Sequence, residues 1–544
     1  MNSRRKAFTA AALVAVSLGA AAQTYQDART FAENNYAGTA RSVGLGNAMT
    51  AVGGDAGSLT FNPAGSAVSA YSQLMITPSL SIASTSSTGT AYNGVVTGYQ
   101  DSGRDAYTRM KMPNIGFILY YDTHNSYGLK GFSVGFVGNA TNDYTRKFIA
   151  TGTNGDTSVA AGMASDAEGF PVSTMNGDWY QSSMPSWQSM TAYKSGMFSP
   201  VTGVDGSYVA ATEKLFDNGD RAVAGMLDQS YGQQRRGNKY DALLNIAANF
   251  SDKFYLGANL GLQSISYSMD EFWSESAQNP SDFTVKYDSG RTDSFDNLRM
   301  RYSYRATGSG VYAKAGFIWR PFGGLRIGAA IQTPTYMEIK ERYGYDGKTV
   351  FTSQTLTAQS PEDSWEYDMT LPFRVNAGLA YTFGKVALLS ADYEYVNYSQ
   401  CRFKPSEWDD ADFSGLNTDV NLFLGPSHML RTGIEIHPVP QIAVRGGYNL
   451  TVEPEMTVSS GESVAGENIL RHSGSFGLGY SSGGSFFADF AVRAAFLPYE
   501  YIIPYDYYYV GTDGYSYIDD TIITPEIAFR KTLVDVILTL GWRF

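Results

Sequence analysis

A single cysteine, Cys401, occurs in 544 residues, so no intrachain disulfide can brace this chain. Histidine is equally scarce, and His124, His428, His437 and His472 show no metal-ligand spacing. His428 and His437 fall near opposite ends of one predicted strand, too far apart to share an ion. The Gly44-x-Gly46 pair has no strand before it and cannot be a dinucleotide loop. Beyond the first two dozen residues, no run of about eighteen apolar residues occurs, which excludes a helical membrane protein. Basic residues are outnumbered 40 to 52 by acidic ones, and the net charge of −12 argues against a nucleic-acid partner. No catalytic constellation, cofactor or metal is read from the sequence.

What is abundant points to β structure. Tyr (39), Phe (30) and Gly (57) favour strands and tight turns. The first residues address the chain for export. Arg4, Arg5 and Lys6 precede an uncharged apolar stretch, and Ala20-Ala21-Ala22 supply small residues for cleavage. Ser3-Arg4-Arg5 resembles a twin-arginine start, but Phe8 lies one place late, so ordinary export is read.

Strands announce themselves by strict alternation, because successive side chains point to opposite faces. Phe254, Leu256, Ala258, Leu260 and Leu262 alternate with Tyr255, Gly257, Asn259, Gly261 and Gln263. Similar runs surround Phe373–Thr382, Ala387–Glu394 and Phe486–Arg493. About fourteen strands are predicted, near 73–84, 113–121, 131–144, 238–250, 254–268, 302–320, 325–341, 364–383, 386–400, 427–437, 441–450, 472–481, 485–497 and 532–544.

The connections carry more information than the strands. Every second link from the fourth strand onward is tiny: Ser251-Asp252-Lys253, Pro321 to Gly324, Gly384-Lys385, Pro438-Val439-Pro440 and Ser482-Gly483-Gly484. The intervening links are long, the longest running from about 145 to 237. Such parity is the pattern of a transmembrane barrel, with short periplasmic turns, long extracellular loops and both termini periplasmic. The terminal strand sets Val534, Val536, Leu538, Leu540, Trp542 and Phe544 on one face, the pattern an outer-membrane assembly machinery reads. The fold expected is therefore all-β: a transmembrane antiparallel barrel in the Gram-negative outer membrane, in contact with lipid and lipopolysaccharide.

Residues 23–72 do not alternate, and their small residues, Gly and Pro suit a compact plug in the lumen. The domain reading is a signal peptide at 1–22, a plug at 23–72 and a barrel at 73–544. Inward positions carry Arg374, Asp392, Glu394, Arg431, Glu435, Arg445, Asp489, Arg493 and Arg543; both signs suit an ion-pair network holding the plug, with a selectivity filter as the alternative. Tyr499, Tyr501, Tyr505, Tyr507, Tyr508 and Tyr509, with Trp179 and Trp187 in the longest loop, offer a first contact for apolar solutes, packing between loops, or the aromatic girdle at the interface.

The run Gly38 to Ala48, followed by Asp55-Ala56 and Asn62-Pro63-Ala64-Gly65, resembles the hatch of the FadL-type long-chain fatty-acid transporter family. Stretches such as Asn249–Gly257 and Leu430–Glu435, continuing to Arg445–Tyr448, resemble members from the Bacteroides group. Leu45 and Asn47 depart from the Met and Gly common in that family. The resemblance implies plug-motif residues Gly44, Gly46, Asp55, Asn62, Pro63, Ala64 and Gly65, and passive transport of hydrophobic small molecules such as fatty acids. It also implies lateral release beside a kinked third strand, for which Gly135, Gly138 and Asn139 are the candidate positions. The alternatives are a non-conducting barrel serving structure, secretion or surface assembly, and, third, a haem receptor, for which no ligand pair is identifiable.

Overall fold

The computed structural model describes residues 24–90, 98–180, 185–286, 292–407, 410–459, 462–465, 469–511, 516–519 and 521–544; the expected signal peptide lies outside them. Among the described residues, 14 antiparallel strands close into a barrel. They are β1 (Gln73–Thr90), β2 (Gly103–Asp122), β3 (Leu129–Asp143, resuming as Arg146–Asn154), β4 (Leu227–Phe250) and β5 (Phe254–Ala277). Next come β6 (Thr292–Trp319), β7 (Leu325–Gln332 with Thr335–Phe351), β8 (Asp363–Leu371 with Arg374–Phe383), β9 (Ala387–Asn397) and β10 (Pro426–Val439). The last are β11 (Ile442–Val452), β12 (Leu470–Ser481), β13 (Phe486–Ile502) and β14 (Glu526–Arg543). Each pairs with its sequence neighbour, and β14 closes on β1 through pairs such as Leu74↔Trp542 and Ile82↔Val534.

The alternation sorts as its chemistry demands. On β5, Leu256, Leu260 and Leu262 are 45–50% exposed on the outer wall, whereas Tyr255, Asn259 and Gln263 are buried inside. Outward aromatics gather at the turn end, among them Trp319, Phe322, Phe383, Trp542 and Phe544. This is the girdle expected of a barrel flanked by membrane interfaces. Among the described residues no helix is long and apolar enough to cross a membrane.

Several strands run well past their expected loop-side ends. β2 starts at Gly103 rather than near 113, β4 at Leu227 rather than near 238, and β14 at Glu526 rather than near 532. Above an apolar band the outward residues no longer need to be apolar, so the alternation fades while backbone pairing continues. The longest loop is correspondingly shorter, 155–226 instead of 145–237. The tiny turns are where the sequence places them. Ser251 and Asp252 both take positive φ (57° and 56°), and Gly384 and Gly483 do likewise in their turns. The β10–β11 link differs: Val439 pairs with Ile442, so Pro440 and Gln441 make the turn. Both ends of the barrel lie at the turn side, where Ser72 and Phe544 exchange backbone hydrogen bonds of 3.1 and 3.0 Å. The first described residues instead reach up to the loop side, Tyr25 stacking on Phe423 and Arg29 pairing with Glu453 (3.2 Å).

Inside the barrel sit α1 (Tyr25–Ala32), α2 (Ala40–Gly44) and two 3-10 turns, Ala56–Thr60 and Pro63–Val68. The loop side is closed by α3 (Val159–Asp166), α4 (Val172–Met175) and α5 (Trp187–Lys194) of the longest loop, with α6 (Ser414–Phe423) beside them.

Candidate functional site

The plug is built from caps rather than long helices. Asp55 caps the first 3-10 turn: its Oδ1 accepts from the Gly57 N–H (2.7 Å) and the Thr39 hydroxyl (2.6 Å). Asn62 caps the second, accepting from the Ala64 N–H (3.1 Å), with Pro63 following at the first position, where no backbone donor is needed. The Asn62 amide also donates to the Thr50 carbonyl (2.7 Å) and to the Phe317 carbonyl of β6 (2.8 Å), tying two parts of the plug to the wall. Ala64 is fully buried, and the Gly65 carbonyl accepts from the Gly54 N–H (2.9 Å). Gly46 (φ 62°) and Asn47 (φ 64°) form a left-handed pair, a conformation Asn tolerates where the resembling family carries Gly.

The wall is shaped to receive this backbone. A Cβ added at Gly257 would overlap Pro63, one at Gly328 would overlap Thr50, one at Gly433 would overlap Leu45, and one at Gly447 would overlap Gly46. These inward glycines on β5, β7, β10 and β11 form a seat on which plug main chain lies directly against strand main chain. Sequence reasoning missed the role; the available signal was glycine recurring at inward positions of separate strands.

The inward charges come together as pairs. Glu394 accepts from Arg374 (2.9 Å), Arg431 (3.0 Å) and the Tyr36 hydroxyl of the plug (2.9 Å). Arg431 also donates to Asn376 (2.7 Å) and lies 4.5 Å from the Phe61 ring centroid. Glu435 joins Arg41 of the plug (3.1 Å) to Arg445 of the wall (2.6 Å), and Arg445 continues to Asp489 (2.5 Å). Arg493 pairs with Asp535 (2.6 Å) and donates to the Tyr36 carbonyl (2.7 Å); Asp392 accepts from the Thr50 N–H (2.7 Å). Arg543 stands apart, stacked over Phe487 and Tyr71. A carboxylate between two guanidiniums and a plug hydroxyl is saturated, which suits fastening more than filtering ions.

The third strand is where the wall departs from regularity. β2 and β3 pair only from Asp122↔Gly131 to Asn114↔Asn139, although both strands continue further. Against β4, Ala140 faces Tyr240 and Asn142 faces Lys239, leaving Thr141 as an extra residue, a bulge. After a break at Tyr144 and Thr145, the resumed segment leans inward past β2 and β1 toward β14 and β13. Phe148 stacks on Phe529 of β14 (4.4 Å between centroids), and Arg146 pairs with Glu500 of β13 (2.5 Å). Side chains bridge the interruption: Arg109 donates to the Thr145 hydroxyl (3.1 Å), Lys147 pairs with Asp105 (2.7 Å), and Lys111 pairs with Asp143. The plug supplies main-chain partners instead, the Asn35 and Ala37 N–H groups donating to the Thr141 (2.7 Å) and Ala140 (3.2 Å) carbonyls.

Of the candidate kink positions, Gly135 and Gly138 lie in regularly paired strand opposite Ile118 and Ile115. Asn139 is the last paired residue; its amide donates to the Thr60 hydroxyl of the plug (2.7 Å). The bend falls two residues beyond it. Tyr505 and Tyr507 are used in packing between loops, the Tyr505 hydroxyl meeting Thr157 (3.1 Å) and the Tyr507 hydroxyl accepting from the Ser158 N–H (2.9 Å), while Trp187 is buried against Trp179 of its own loop and Tyr343 of β7. The dome is pinned by Glu275, fully buried, which accepts from the Val159 N–H (2.7 Å), the Ser158 hydroxyl (2.8 Å) and Gln229 (2.7 Å).

These features define a plugged, 14-stranded antiparallel barrel with one interrupted seam. Among solved structures, the chain is similar to a FadL homologue of Pseudomonas aeruginosa at 13% identity, covering 93% of this chain and 98% of that one, TM-score 0.48. It is also similar to the toluene transporter TodX of Pseudomonas putida at 10% identity, covering 94% and 99%, TM-score 0.46. A third is the CymD monoaromatic hydrocarbon channel at 10% identity, covering 92% and 97%, TM-score 0.43. No family model and no curated protein matches the sequence.

Proposed function

We propose that this chain passes hydrophobic small molecules across the Gram-negative outer membrane, with both ends of the barrel facing the periplasm, and releases them sideways between β2 and β3. The observation that carries this reading is the seam, where the ladder stops at Asn114↔Asn139 and main chain meets again only at the Asp101↔Thr151 bridge, side chains and the plug closing the wall between. An apolar solute has no reason to leave a barrel through its aqueous end, and a side opening delivers it to hydrocarbon directly. Long-chain fatty acids are the prototype cargo that the hatch resemblance implies. The lipid-facing band, the lipopolysaccharide around it and the assembly machinery that inserts it are the partners of this reading.

Uptake of a labelled fatty acid by intact cells carrying the protein tests it. Deleting Thr141 removes the bulge against β4 and so lets β3 continue straight beside β2; uptake is expected to fall to background while folded protein persists at the surface. Unchanged uptake in that variant overturns lateral release. A second reading, a non-conducting barrel for secretion or surface assembly, draws on the fastened lumen, in which Glu394 and Glu435 tie plug to wall. It predicts no uptake in the wild type and a protein partner that copurifies stoichiometrically.

A further inference from the structure

We propose that the outer wall across β8–β11 carries a binding groove for an acyl chain of a bilayer lipid whose headgroup lies on the loop side. This rests on the outer-membrane reading and goes beyond it. The wall there is indented, an open and shallow depression of about 710 Å³ running along it. Its floor is Ala391, Thr432 and Gly446, small outward residues brought side by side by the registers Ala391↔Thr432 and Ile434↔Gly446. Its sides are Leu379, Leu389, Ile434 and Tyr448, each 39–55% exposed. None of the lining residues is charged.

The position of the groove selects the occupant. It lies above the turn-end aromatics, Phe383 among them, within the band that faces hydrocarbon. Two tyrosine–histidine couples flank its loop-side end: the Tyr448 hydroxyl meets His472 Nδ1 at 2.6 Å and the Tyr393 hydroxyl meets His428 Nδ1 at 2.6 Å. Hydrogen-bonding groups at that end and apolar side chains below match a lipid lying head to the loops and chain toward the turns. A flexible chain can follow a channel floored by small side chains without rearranging the sheet.

The groove is also distinct from the seam. β2–β3 and β9–β10 stand half-way round the barrel from each other, so this is not the proposed release route. Behind the floor, inward Gly433 and Gly447 carry the Leu45–Gly46 backbone of the plug, so only one layer of main chain separates a lipid here from the hatch.

The test uses the full-length barrel in nanodiscs containing a phosphatidylcholine with a photoreactive diazirine on its acyl chain, with crosslinked peptides mapped by mass spectrometry. Labelling is expected to concentrate on 389–391, 432–434 and 446–448, several-fold above outward Leu256, Leu262 and Leu538. Gly446→Leu fills the groove outward, because a Cβ there meets only Ile434 Cγ2, at 3.5 Å. This variant is expected to bring the patch down to the level of the rest of the wall, with heat-modifiable mobility retained. Ala391→Phe serves as the second filling variant should Gly446→Leu misfold. Even labelling around the wall overturns the groove, as does a crosslinked dimer through this face, which would make a second copy the occupant. Absence of label on Leu256, Leu262 and Leu538 alike would instead refute the bilayer reading beneath it.

Discussion

Replacing Asn62 with alanine is the sharpest test of how the plug is held. Three hydrogen bonds disappear: one cap to Ala64, one to the Thr50 carbonyl and one to the Phe317 carbonyl. A lost cap costs about 1 kcal/mol. Each carbonyl left without its donor adds about 1 kcal/mol, less for Phe317, whose strand pairing with Ala329 persists. Local opening of the plug should therefore become easier by about 2–3 kcal/mol. At a factor of ten for each 1.4 kcal/mol, that is a roughly 30- to 140-fold loss of protection. Hydrogen exchange read by mass spectrometry on plug peptides covering 38–68 reports this equilibrium, with β5 and β6 peptides as the internal standard. The barrel ladder is not touched, so its protection and its heat-modifiable gel mobility should stay at wild-type values. Plug exchange unchanged in Asn62→Ala would refute the account. Equal loss of protection in plug and barrel would refute it too, because it would make the two a single cooperative unit.

Other outcomes follow from the same geometry. Gly447→Val puts side-chain atoms where the Gly46 backbone lies, and limited proteolysis should cut the plug of this variant while sparing the barrel. Glu275→Ala strands the Val159 N–H at the start of α3 and removes one partner each from Ser158 and from Gln229 of β4, which should loosen the 155–226 dome by about 1–3 kcal/mol and expose it to protease. Burial pushes the Asp27 carboxyl up to about 6 from its ordinary value near 3.8, so the folded plug disfavours the charged form. Opening the plug lets the carboxyl ionise, and α1 should gain protection as pH falls from about 6 to about 4, then level off. Exchange across 25–32, corrected for intrinsic rates, checks this, and Asp27→Asn should flatten the profile.

Much of the architecture was legible before any coordinates. The number of strands, the short–long parity of their links and the inward or outward direction of residues such as Leu256 and Asn259 follow from a period of two. That period is a local property, imposed on each strand by apolar surroundings on one side. The plug was legible as the stretch in which this period is missing. The strand ends were not, because the outward-facing constraint lapses before pairing does, as at Gly103 and Leu227.

Only the tertiary structure decided what those residues do. Arg41 and Glu435 are 394 positions apart, and nothing local says that they meet, nor that Glu394 takes two arginines and Tyr36 at once. The glycine seat at Gly257, Gly328, Gly433 and Gly447 exists only once registers align four strands beneath one plug. The bend in β3 shows the same division. The resemblance pointed to Gly135, Gly138 and Asn139, yet the bulge falls at Thr141, because a bulge is a mismatch of count between two strands and belongs to neither sequence alone.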